Sequence, residues 1–117
     1  MTVNKQTIEK YLDGFRKTDH AQILSCLAED VEWVIPGMFQ IRGKEAFDNE
    51  IENEAFTGSP TIDAHRLIEE DDVVVARGHV RCQRVTGEFL DLDFCDVFEM
   101  KDGLIKKLTS YLAEVDS

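Results

Sequence analysis

Hydrophobic residues recur in two rhythms along this chain, a helical one first and a strand one later. Ile8, Tyr11, Leu12 and Phe15 return every three to four positions between charged residues, which predicts an amphipathic helix capped by Thr2 or Asn4. Asp19 with Gln22 three residues on has the form of a capping box. It predicts a second helix with Ile23, Leu24 and Leu27 on its apolar face. Residues 31–35 alternate, with Val31, Trp33 and Ile35 on one side, and predict a short strand ended by Pro36-Gly37. Residues 38–42 fit a short returning strand or an ordered loop. Gly43 then opens a third helix, predicted over residues 44–56, with Phe47 and Ile51 inward and an acidic remainder. Thr57-Gly58-Ser59-Pro60 ends it.

Beyond Pro60 the period falls to two. Strands are predicted over residues 62–69, 73–84, 88–100 and 104–115. The turns between them are Glu70-Asp71-Asp72, Thr86-Gly87 and Lys101-Asp102-Gly103. The last is the strongest hairpin signal, because Asp-Gly readily supplies the positive φ values of a tight turn. Helices followed by hairpin-joined strands give an α+β domain, with helices packed on one face of a curved, mostly antiparallel sheet. No linker or repeat divides residues 1–117, so one domain is expected.

Residues 88–100, EFLDLDFCDVFEM, carry the most chemical information. Leu90, Leu92, Phe94, Asp96, Phe98 and Met100 share one face, apolar at every position but one. A carboxylate buried among Leu and Phe either finds a partner or keeps its proton. Asp96 is therefore the leading candidate for chemistry. On the neighbouring strand, Arg77, His79 and Arg81 share the opposite face, which reads as a polar outer surface paired with Asp91, Asp93 or Glu99.

Composition narrows the classes of function. Hydrophobic residues make up 43% of the 117, enough for a core. A net charge of -11 disfavours nucleic acid and anionic membrane surfaces. Cys26, Cys82 and Cys95 form no CxxC pair, so neither a disulfide framework nor a zinc site is indicated, and reduced thiols in the cytoplasm are expected. The N-terminal stretch is too polar for a signal peptide, and no apolar run approaches the ~20 residues of a membrane span. No spacing of His, Asp or Glu indicates a metal, and no glycine-rich loop indicates a nucleotide, so no cofactor is expected.

Four short signatures appear in order: Ala28-Glu29-Asp30-Val31, Gly43-Lys44-Glu45, Asp102-Gly103-Leu104-Ile105 and Tyr111-Leu112-Ala113-Glu114-Val115. With the order of elements, they make the sequence resemble the nuclear transport factor 2-like superfamily, and within it the SnoaL-like and ketosteroid isomerase-like proteins. The resemblance implies a conical α+β barrel with a hydrophobic pocket and a homodimer through the outer sheet face. Ketosteroid isomerases use a tyrosine on the first helix, a protonated aspartic acid on the penultimate strand and a carboxylate base near the end of the first strand. Tyr11 and Asp96 match the first two positions, and Ile35 stands at the third.

The resemblance thus implies a small hydrophobic carbonyl compound as ligand, polarised by Tyr11 and Asp96, with isomerisation or cyclisation through an enolate as the chemistry. With Ile35 unable to take a proton, Asp63 and His65 on the strand after Pro60 are the candidate bases. Trp33, Ile35, Met38, Phe39, Phe47, Phe94, Phe98 and Leu112 are the expected lining of the pocket. The alternatives are a ligand-binding domain without catalysis and a dimerisation module.

Overall fold

The computed structural model describes residues 2–116. Its elements are α1 (Val3–Lys17), α2 (His20–Leu24), β1 (Leu27–Ile35), β2 (Phe39–Arg42), α3 (Lys44–Ile51), β3 (Phe56–Glu70), β4 (Val73–Arg84), β5 (Phe89–Lys101) and β6 (Leu104–Glu114). The strands form one open sheet in the order β2-β1-β6-β5-β4-β3. Every neighbouring pair is antiparallel except β1 with β6, which is parallel. The fold is α+β, with the helices against the concave face of the sheet.

Local chemistry sets the helix ends. The Thr2 side chain caps α1 by accepting from Lys5 N–H. Asn4 serves elsewhere. Its amide donates to Glu69 and Asp72, and the Thr2 hydroxyl also donates to Glu69. These bonds pin the start of α1 to the β3–β4 hairpin. Asp19 caps α2 through Gln22 N–H at 3.0 Å. The box is only half made, because the Gln22 amide donates instead to Lys10 O and Asp13. Leu27 leaves the predicted helix and starts β1, where it pairs with Ile105.

Helix α3 stops at Ile51, five residues short of the expectation. Acidic side chains crowd its end, where the helix dipole is already negative. Asn53 then turns the chain by accepting from Ala55 N–H through its side chain and from Phe56 N–H through its carbonyl. Phe56 enters β3 opposite Arg84. The strand tolerates Pro60 because it lies at the sheet edge, and its register shifts between Thr57 and Thr61.

Along β4 and β5 the alternation holds. Val74, Ala76, Phe94, Phe98 and Met100 are buried under the helices. Asp102 and Gly103 turn β5 into β6 with φ values of 53° and 76°. Phe47 from α3 joins Phe98, Ile8, Ile23 and Leu108 in the fully buried centre. Among the described residues no helix is long and apolar enough to cross a membrane.

Two histidines tie elements together. His20 reaches Asp48 at 2.5 Å and Glu52 at 2.6 Å, joining α2 to α3. His79 reaches Asp91 at 2.9 Å and Asp93 at 3.1 Å across β4 and β5. Hydrogen bonds to those carboxylates raise both imidazole pKa values, those to Asp48 and to Asp91 most. A raised histidine pKa contributes stability that is fully present below about pH 6.5 and lost as pH climbs through the folded value. Denaturation midpoints are therefore expected to fall as pH rises above about 6.5, and His20→Ala should flatten that fall. An unchanged slope would mean the His20 clamp contributes nothing.

Candidate functional site

The register of the sheet puts Asp96 between Ala76 of β4 and Ser110 of β6. Its side chain enters a cavity of about 120 Å³ between α1 and the sheet. Trp33 and Ile35 from β1, Phe94 from β5 and Leu112 from β6 form walls beside it. Tyr11 and Phe15 close the helix side.

Oδ1 of Asp96 is fully buried and has no hydrogen-bond partner. Desolvation raises the carboxyl pKa to about 7, against the smaller opposing influence of Ser110. The Ser110 hydroxyl accepts from Trp33 Nε1 at 3.1 Å, which leaves its own proton free for Asp96. Near neutrality Asp96 is thus divided between a neutral acid that donates and a carboxylate that accepts.

Tyr11 is 3% exposed and held by rings. Phe15 and Phe98 meet it edge-on at centroid distances of 5.1 and 5.3 Å. Burial, then the charge of Asp96, push its pKa well above 10. Its hydroxyl stays protonated, and among the described residues no group hydrogen-bonds it. Tyr11 and, in its protonated form, Asp96 are thus two donors lining one largely apolar chamber, an arrangement that stabilises charge developing on a bound oxygen.

Placement differs for several expected residues. Asp63 and His65 are exposed and do not enter the cavity. The alternation of β3 turns Ile62 and Ala64 inward, so Asp63 points out opposite His79, and His65 is the extra residue of a bulge between Ala64 and Arg66. Met38 is 72% exposed in the β1–β2 turn. Phe47 and Phe98 are fully buried behind the cavity rather than on its surface, Phe47 stacked on Trp33 at 4.5 Å. Phe39 packs edge-on against that indole at a centroid distance of 5.2 Å. These three support the walls.

Sequence reasoning missed Leu12, Phe15, Ile62, Val80 and Ser110 as lining. The signal for Ser110 was present: Leu108, Ser110 and Leu112 alternate with one polar position, as around Asp96. Among the described residues no cluster of three or more His, Cys, Asp or Glu could hold a metal ion.

This open, helix-backed sheet with an acid inside its cone is the architecture of the nuclear transport factor 2-like superfamily. The SnoaL-like domain family matches residues 8–108, and the chain belongs to that family. No curated protein matches the sequence. Solved structures do. TerC, co-crystallised with polyporic acid, is 26% identical with a TM-score of 0.83 over 93% of this chain and 90% of its own. An LEH-like epoxide hydrolase of M. tuberculosis is 18% identical, with a TM-score of 0.84 over 95% and 83%. An NTF2-like protein of unknown function from Burkholderia pseudomallei is 22% identical, with a TM-score of 0.85 over 97% and 92%. The last two likenesses show the fold alone.

Proposed function

We propose that the cavity binds a small, largely apolar compound through a carbonyl or enol oxygen, with Tyr11 and protonated Asp96 as its hydrogen-bond donors. The buried, unpartnered Oδ1 of Asp96 carries this reading. A native protein rarely strands a buried polar atom, and a ligand oxygen would satisfy it. Stabilising the enolate of such a compound would serve isomerisation or cyclisation.

Proton transfer would have to run through Asp96 itself. Among the described residues, Tyr11 and Asp96 are the only titratable side chains lining this cavity, and Ile35 offers no base. A pKa of about 7 suits a group that both takes and returns a proton near neutral pH. The absence of a second base from that lining favours the other reading, binding without catalysis.

Trp33 is the single tryptophan of the chain and lines the cavity, so its fluorescence reports occupancy. Titration with substituted phenols, which mimic an enol, should quench it. Tyr11→Phe and Asp96→Leu should each weaken binding by about tenfold, the worth of one hydrogen bond to a buried partner. Quenching that is absent, or equal in all three proteins, contradicts the proposal. Deuterium exchange into cyclohex-2-enone separates catalysis from binding: exchange that depends on Asp96 supports an enzyme, and binding without exchange supports a carrier.

The outer sheet face supports a homodimer in this reading, since an open curved sheet has a second face to cover and Tyr111 is 53% exposed there. Sedimentation at micromolar concentration should give twice the chain mass; a monomer removes this part. The free cysteines suit a reducing cytoplasm.

A further inference from the structure

A second cavity, of about 270 Å³, adjoins the first. Phe15, Ile62 and Val80 line both, so the two meet at this trio. Size separates their roles. An apolar cavity of about 150 Å³ takes a single benzene ring. The 120 Å³ inner chamber holds no more than one small ring, and the outer chamber beyond Phe15 is the adjoining space into which a larger ligand can extend.

The outer chamber differs in chemistry as well as size. Ile51, Phe56 and Cys82 continue the apolar surface, while Glu52, Asn53 and Thr57 bring polar groups to its wall. His20 occupies only Oε2 of Glu52, which leaves Oε1 as an acceptor for a donor on a ligand. The carboxylate and a chain charge of -11 oppose an anion there.

The geometry points to a two-part site. One small ring bearing the carbonyl sits against Asp96, and an apolar arm ending in a hydroxyl or amine lies in the outer chamber toward Glu52. This deepens the proposed function and rests on its reading of the inner chamber. It defines the ligand as elongated, with a neutral or cationic far end, rather than compact or anionic.

The cysteines give the test two independent readouts. Cys82 lines the outer chamber, Cys26 is buried and Cys95 lies on the other face of the sheet. Three ketones serve as probes: acetophenone, and the same ring carrying a 4-hydroxybutyl or a 3-carboxypropyl arm at the para position. Trp33 quenching measures inner-chamber binding, and the rate of Cys82 alkylation by N-ethylmaleimide at pH 8, mapped by mass spectrometry, measures outer-chamber occupancy.

The hydroxybutyl ketone should bind at least tenfold more tightly than acetophenone and slow Cys82 alkylation at least fivefold, with Cys95 unaffected. Acetophenone should quench Trp33 and leave the Cys82 rate unchanged. Equal quenching by the two ketones with unprotected Cys82 overturns the two-part site and leaves the inner-chamber reading standing. Protection of Cys82 without quenching supports the outer chamber and removes the inner one. Neither effect with any probe overturns both. A carboxypropyl arm that binds as tightly as the hydroxybutyl arm overturns the assigned polarity.

Discussion

Asp96→Asn is expected to stabilise the protein at pH 8. The native carboxyl has a pKa of about 7, against an ordinary value of 3.8. Between those values the folded state holds a proton that the unfolded chain has released. Stability therefore falls as pH rises through that window, by up to about 1.4 kcal/mol per pH unit, and the full cost is reached above pH 7. The three-unit shift sets an upper bound of about 4 kcal/mol. Asparagine does not ionise but places an amide in the same poorly partnered position, so a net gain of about 2 kcal/mol is expected at pH 8 and little at pH 4. Urea unfolding at pH 4, 6 and 8 measures this directly. A variant with the same pH slope as the parent would show that Asp96 ionises in the fold at no cost.

Gly78→Ala should be among the most destabilising single methyl additions in the chain. A Cβ at this position would lie 2.0 Å from Asp63 O and 3.0 Å from Ala64 Cα. Both are backbone atoms of the paired strand, so no side chain can swing away. The close approach occurs where β3 bulges at His65 against β4. The β3–β4 pairing would have to part locally, at a cost of about 3 kcal/mol. The pair Ile62 and Val80, next along the ladder on the same face as Ala64 and Gly78, walls both cavities, so probe binding should weaken with stability. A loss under about 0.5 kcal/mol in urea unfolding would show that the bulge can move freely.

The parts of the fold legible in the sequence were those governed by local rules. The strict alternation of residues 88–100 fixed which face of β5 is inside, and with it the position of Asp96. The Asp102-Gly103 hairpin followed from its own φ requirements. What failed was set by distant partners. Leu27 looks helical until Ile105 offers a parallel strand, and the end of α3 depends on Arg84 waiting to pair with Phe56.

The site divides the same way. Tyr11 and Asp96 reach one cavity because each lies on a cleanly patterned element. Asp63 and His65 lie outside because Ile62 and Ala64 take the inward positions of β3, and only beyond His65 does a bulge shift the phase of the strand. Met38 is hydrophobic but sits in a turn that no element covers. The outer chamber was invisible, since it forms only where the early end of α3 meets an edge strand the sequence had begun at residue 62 rather than Phe56.

The central claim is that Asp96 lines an apolar chamber with its Oδ1 unpartnered and holds its proton to near neutrality. Carbon-13 NMR of the Asp96 carboxyl, titrated from pH 3 to pH 9 and assigned by comparison with Asp96→Asn, tests it most directly. A midpoint near 7 that shifts when a phenol binds is the predicted result. A midpoint near 4, unmoved by ligand, would mean that the carboxylate is satisfied by the protein, and the pocket would lose the group on which its function is argued.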